Sequence, residues 1–142
     1  MVKIIIDVAD NVNITENIDK FKDKLLDTLS KNTKLTFEKN TPIHSGKGRN
    51  NYRIIKRENE HEVRNDTYYL PWVNDGTGIY GPRHTPIVPR RARVLHFHWK
   101  GKEWFLKSVK GQKGQKFVER SMTEVMQSVE SAVVIAKQGT LE

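Results

Sequence analysis

Cysteine is absent from this 142-residue chain. Its absence excludes a disulfide framework, a cysteine nucleophile and thiolate metal ligands, and it suits folding in a reducing cytoplasm. Long apolar runs are missing as well, because no segment approaches the roughly 18 apolar residues that span a bilayer. The first ten residues lack the hydrophobic stretch of a secretory signal. We therefore expect a cytoplasmic protein that has no membrane partner.

Acidic residues are scarce in the second half of the chain. Residues 83–120 hold 11 Lys and Arg against two acids, Glu103 and Glu119, and the rest of the chain is about neutral. Such clustering predicts an anionic partner, with nucleic acid as the default candidate. The alternative is a solvated surface whose charge serves solubility. The predicted basic patch comprises Arg90, Arg91, Arg93, Lys107, Lys110, Lys113 and Lys116.

Length and patterning together predict the fold class. A chain of this size suits one domain with one core. Apolar residues alternate with a period of two in some segments, which predicts strands, and recur at helical spacing in others, which predicts helices. We predict a single α+β domain over residues 1–142, in which an N-terminal and a long C-terminal helix pack on a mostly antiparallel sheet of five or six strands.

The first half of the chain alternates strands with one helix. A β-branched run predicts a strand over Val2–Val8, and Thr15 offers an N-cap for a helix that ends near Lys31-Asn32. Polar residues with Pro42 and two glycines predict a loop over 33–51, which we expect to be mobile. Three further short strands are predicted over Tyr52–Arg57, Glu62–Asn65 and Tyr68–Asn74.

The second half contains the clearest hairpin. Residues 75–89 carry three glycines and three prolines, which predict a second long and mobile loop. Strands over Arg93–Trp99 and Glu103–Val109 flank a turn at Lys100-Gly101-Lys102. Beyond residues 110–115, a linker, apolar residues with helical spacing predict a last helix that stops at Gly139. We expect residues 137–142 to be a tail or the scar of an affinity tag.

No motif supports catalysis. Residues 76–81 spell G-x-G-x-x-G after a predicted strand, but the prolines that follow forbid the helix that a dinucleotide site needs. Ser45 beside His44 is an adjacent pair and not evidence of a catalytic dyad. The basic half lacks converging carboxylates. We predict no catalytic residues, no enzymatic activity and no cofactor.

Three histidines raise the question of a metal. His96 and His98 point the same way from one strand, and His84 is near in sequence. One interpretation of this pattern is a three-histidine zinc site. The pattern places no acidic residue beside them and shows no third ligand brought in by folding. Solvent-facing or interface imidazoles account for them, and we predict no metal site.

Aromatic residues interleave with lysines along the hairpin. Trp99, Trp104 and Phe105 alternate with Lys100, Lys102 and Lys107, a pattern in which aromatic rings stack bases while lysines follow phosphates. Aromatic residues on strands also commonly form a core. A basic nucleic-acid-binding protein is therefore the alternative function.

Three stretches in order, residues 42–46, 68–78 and 111–122, resemble the head–tail joining and tail-completion proteins of long-tailed, lambdoid-type bacteriophages. In that family a proline, a small hydroxyl residue and a glycine precede a meander, an aromatic strand enters a Gly-Thr-Gly loop, and a helix beginning with Phe closes the domain. The resemblance spans residues 40–135. The matching positions are Pro42, Ser45 and Gly46, then Tyr68, Tyr69, Gly76, Thr77 and Gly78, then Phe117.

The resemblance implies a structural virion protein and minor tail component. Such a protein forms a ring, expected to have six copies, at the head–tail junction or tail end, and is a monomer in solution before assembly. The implied partners are connector or head-completion proteins, tail-tube proteins and, without base reading, phage DNA. The expected interface residues are Gly76, Thr77, Gly78, Ile79, Tyr80, Gly81 and Arg83.

Overall fold

The computed structural model describes residues 1–7, 16–138 and 140, and it confirms the predicted α+β class. The predicted N-cap Thr15 and the predicted stop Gly139 lie outside the described residues. Contacts divide the chain into two compact units. The sheet unit comprises Met1–Tyr68 and Phe117–Glu142, and the hairpin unit comprises Tyr69–Lys116. Among the described residues, no helix has both the length and the apolar character that a bilayer span requires.

The sheet unit contains three antiparallel strands, β1 (Val2–Asp7), β2 (Arg53–Lys56) and β3 (Glu60–Asn65), in the order β1-β3-β2. A short turn joins β2 to β3, and its first residue, Arg57, donates its backbone N–H to Glu60 at 2.8 Å. Ile4, Val63 and Ile54 lie side by side across the sheet, and Val63 is fully buried. The strongly β-branched β1 and the turn before β3 appear where the sequence predicts them.

The first helix, α1 (Glu16–Asn40), packs on this sheet and is eight residues longer than predicted. Its buried stripe continues past residue 32 through Thr33 and Phe37. The Thr33 hydroxyl donates to the carbonyl of Leu29 at 2.7 Å, which allows a threonine to be buried. The predicted loop at 33–51 is therefore wrong over residues 33–40, because polar side chains carry the buried stripe there. A 3₁₀ turn at Arg49–Asn51 follows.

The last helix, α3 (Phe117–Gln138), lies against α1. Its buried face is Phe117, Ser121, Val125, Ala132 and Ala136. Val125, Ala132 and Ala136 belong to the apolar face that helical spacing predicts, and Phe117 and Ser121 are additional. Ser121 is tolerated inside because its hydroxyl donates to the carbonyl of Phe117 at 2.6 Å. Lys39 and Asn40 at the end of α1 contact Glu124 of α3 at 2.8 and 3.2 Å.

The hairpin unit contains a short helix and a two-stranded sheet. Helix α2 (Leu70–Asp75) replaces the strand predicted over Tyr68–Asn74. Pro71 favours it, because a proline in the first helical turn loses no hydrogen bond and already has helical φ. Strands β4 (Leu95–Trp99) and β5 (Lys102–Leu106) form the predicted hairpin. The five strands of the described part of the chain thus lie in two sheets, of three and two strands.

Candidate functional site

The Gly-Thr-Gly loop of the hairpin unit is joined to the segment before α3 by an antiparallel series of backbone hydrogen bonds. Thr77 donates to Gln112 at 2.9 Å and Ile79 donates to Lys110 at 2.8 Å. The backbone N–H of Ile87 donates to the carbonyl of Val109 at 2.9 Å, and the N–H of Val109 donates to the carbonyl of Ile87 at 3.0 Å. The regions predicted as a long loop and a linker therefore fix each other's conformation.

Glycine is required where these two segments touch. Gly78 and Gly111 both have positive φ, and a Cβ atom on Gly78 would lie 2.0 Å from the carbonyl oxygen of Lys110. A Cβ atom on Gly111 would lie 2.2 Å from the carbonyl oxygen of Thr77. The glycines of the loop thus serve close backbone approach within the chain.

The predicted interface residues divide by exposure. Gly76 and Gly81 are buried, and the remaining loop residues Thr77, Gly78 and Ile79 are half-buried. Tyr80 and Arg83 are exposed. Of the predicted set, these two side chains are the ones most available to a partner.

The hairpin turns through Lys100 and Gly101, whose φ angles of 52° and 73° fit a two-residue type I′ turn. This turn sets the register, in which Phe97 pairs with Trp104 and His98 pairs with Glu103. Because side chains alternate along a strand, the register gives the hairpin two different faces. One face is mainly apolar, and the other carries His96, His98, Glu103 and Phe105.

The apolar face lines an open groove of about 500 Å³. Trp99 is 51% exposed and Trp104 is 37% exposed, while every residue of β5 is classed as exposed. A two-stranded hairpin is only marginally stable alone in water. The groove is lined by Ile87, Phe97, Trp99, Trp104, Leu106 and Val109, together with Thr77, His98, Gly111 and Gln112.

The predicted basic patch lies wholly in the hairpin unit. This unit holds ten Lys and Arg against Asp75 and Glu103, a net of +8, whereas the rest of the chain holds fifteen of each sign. All seven patch residues are exposed. Within the described residues, Lys116 alone of the seven lies within 4.0 Å of a carboxylate, that of Asp75. The chain's whole net charge therefore comes from this unit.

The second face of the hairpin brings together groups that the sequence analysis left apart. Glu103 Oε1 lies 2.5 Å from His96 Nε2 and 3.7 Å from His98 Nε2. His84 lies outside this cluster, with its Nδ1 3.3 Å from the carbonyl of Ile79. The prediction that no acidic residue stands beside the two histidines is wrong. A two-residue turn at Lys100-Gly101 sets the pairing of the two strands, and this pairing places Glu103 opposite His98. Recognition of that turn in the sequence would have predicted the contact.

Fold and site together define an α+β protein with a largely exposed hairpin that is aromatic on one face and strongly basic around it. No protein-family model, curated protein or solved structure matches this chain.

Proposed function

We propose that this chain is a structural virion-assembly protein that acts in tail completion or head–tail joining as one subunit of a ring. The observation that carries the proposal is the uncovered apolar face of the β4–β5 hairpin. The resemblance of residues 40–135 to phage tail-completion proteins supplies the kind of assembly. The role is structural and involves no catalysis.

The exposed aromatic side chains argue for a protein partner. Interface cores are enriched in Trp, Tyr and Phe, and contiguous exposed apolar surface marks interaction sites on proteins. The hairpin groups Trp99, Trp104 and Leu106 around one groove, where a partner would remove them from water. In a ring, that partner is the neighbouring copy of the chain, and the groove of each copy binds one neighbour.

The positive charge fits the same assembly. A ring of six copies would carry a charge of about +48 if each contributes its net +8. A ring at the head–tail junction or tail end lies beside packaged or passing DNA, and contact with phosphates needs no base reading. Connector and tail-tube proteins would bind the remaining surfaces, with Tyr80 and Arg83 as the exposed loop contacts.

The proposal is tested by comparing the self-association of a groove variant with that of a control variant. We expect the double variant Trp99→Ser, Trp104→Ser to lose at least about tenfold in association constant, because it removes two aromatic groups from the contact. Trp72→Ser is the matched control, since Trp72 is 58% exposed but belongs to α2 and does not line the groove. Sedimentation at rising concentration measures the constant, and far-UV circular dichroism checks folding. Equal association of the folded double variant and the control would contradict the proposal.

A basic nucleic-acid-binding protein is the second candidate. It is favoured by the six exposed cations of the patch, all but Lys116, that have no carboxylate within 4.0 Å among the described residues. Affinity that comes from phosphate contacts falls steeply with salt. Binding to a random DNA duplex at low and at physiological salt separates the two functions. Tight binding that survives physiological salt would favour a dedicated nucleic-acid protein, and binding that vanishes would leave the patch as an electrostatic lining.

A further inference from the structure

The polar face of the β4–β5 hairpin carries three potential metal ligands. His96 and His98 are two residues apart on β4, and Glu103 pairs with His98 across the hairpin. One donor atom from each residue lies within 4.8 Å of the other two. All three side chains are exposed, so an ion reaches them without a change in the fold.

The spacing suits a tetrahedral ion. In such a site, with metal–donor distances of roughly 2.0–2.2 Å, neighbouring donor atoms lie about 3.4 Å apart. The observed separations from Glu103 Oε1, 2.5 Å to His96 Nε2 and 3.7 Å to His98 Nε2, lie on either side of that value. Rotations of exposed side chains are enough to make them equal. The existing contact between His96 and Glu103 would be replaced by two bonds to the ion.

The neighbouring residues hold the first ligand in place. The His96 ring stacks on Phe105, its cross-strand partner, with 4.5 Å between centroids and 2° between planes. Stacking restricts the tilt of the imidazole, and the contact of its Nε2 with Glu103 Oε1 sets which edge of the ring is on the side of Glu103. The site is thus partly ordered before an ion arrives, which reduces the entropy lost on binding.

We propose that His96, His98 and Glu103 form a binding site for a divalent first-row transition metal such as Zn²⁺. Two imidazoles and one carboxylate are the ligand types that these ions take, and three protein ligands leave one position open for water or for a fourth ligand. The ligands come from eight consecutive residues around one turn, so the ion links the two strands. His96 and Glu103 do not line the groove, whereas His98 does, and the site does not depend on the proposed function.

Zinc titration of the untagged full chain, in competition with a chromophoric chelator, tests the site. An untagged chain is needed because a polyhistidine tag binds the same ions. We expect one Zn²⁺ per chain, with affinity at least about tenfold lower in His98→Ala and in Glu103→Gln. The imidazole resonances of His96 and His98, followed by NMR, should shift on titration while that of His84 stays in place.

His84→Ala is the matched control, because His84 is an exposed histidine of the same unit outside the cluster. It should bind zinc as the wild type does. Glu103→Gln keeps the size of an exposed side chain, so loss of binding in this variant does not reflect a failure to fold. Absence of binding at about 0.1 mM zinc, or equal affinity in wild type, His98→Ala and Glu103→Gln, would overturn the proposal.

Discussion

At the scale of single residues, the most informative side chain is Glu62 of β3. It is fully buried, and its Oε2 accepts hydrogen bonds from Arg57 Nη1 and Nη2 at 3.1 and 3.2 Å. Its Oε1 lies 3.7 Å from Arg64 and 3.9 Å from Lys3, with no hydrogen-bond partner among the described residues. One buried carboxylate therefore lies close to three cations, two of which also contact a second carboxylate, that of Glu60 or Asp66.

Replacement of Glu62 by Gln should destabilise the sheet unit by about 1–3 kcal/mol, because the charge-assisted bonds from Arg57 to the buried side chain are lost. Glu60→Gln removes a more exposed carboxylate that contacts the same Arg57 at 3.0 Å, and should cost less than about 1 kcal/mol. Urea unfolding measures both free energies. A cost for Glu62→Gln as small as that of the control would contradict this account of the charge cluster.

The pKa of Asp27 makes one contribution to stability depend on pH. A 2.7 Å bond from Lys56 lowers the pKa of Asp27 below its ordinary value of 3.8, and Lys31 and His61 add to the effect. Because the folded pKa is the lower one, the contribution is complete above pH 3.8 and is lost as pH falls through the folded pKa. We expect wild type to be more stable than Asp27→Asn at neutral pH. The difference in free energy of unfolding between wild type and Asp27→Asn should become smaller below about pH 4. A difference that grows on acidification would contradict the assignment.

At the scale of elements, the glycine contacts of the hairpin unit make a sharp prediction. Gly78 and Gly101 both have positive φ, but a Cβ atom on Gly101 would meet nothing within 4 Å. Gly101→Ala should therefore cost about 1–2 kcal/mol, the price of the backbone conformation alone. Gly78→Ala adds a clash with the Lys110 carbonyl and should cost several kcal/mol more.

Hydrogen exchange at the amide of Ile79 reports on Gly78→Ala directly, because this amide is bonded to Lys110. We expect its protection to fall strongly in Gly78→Ala and to stay unchanged in Gly101→Ala. Equal protection in the two variants would mean that the antiparallel contact between the loop and residues 109–116 is absent in solution.

The elements that could be predicted from the sequence are those set by local patterns. The alternation of Leu95, Phe97 and Trp99, together with a Gly-containing turn, was enough to predict the β4–β5 hairpin. The continuation of α1 was missed because Ser30 and Thr33 occupy its buried stripe, and hydrophobic periodicity does not detect buried hydroxyl groups. Helix α2 stands where a strand is predicted, because Pro71 suits the first turn of a helix and hydrophobic alternation does not take this into account. The cluster of Glu103 with two histidines depends on the exact register of the β4–β5 hairpin, and residue spacing alone does not give that register.

At the scale of the whole molecule, charge and apolar exposure are concentrated in the same unit. The hairpin unit carries the full net charge of +8 and the groove lined by Trp99 and Trp104. The sheet unit is neutral and contains ion pairs such as Lys39–Glu124, Arg53–Asp66 and Lys56–Asp27. This division suits a subunit whose sheet unit provides stability and whose hairpin unit makes the contacts.

The central claim is that copies of this chain close into a ring. The mass distribution of the untagged chain, measured by native mass spectrometry from micromolar to near-millimolar concentration, tests it most directly. We predict a monomer at low concentration that gives way to one closed oligomer of six copies, without larger species. A monomer at every concentration, or an open-ended series of growing oligomers, would contradict the claim.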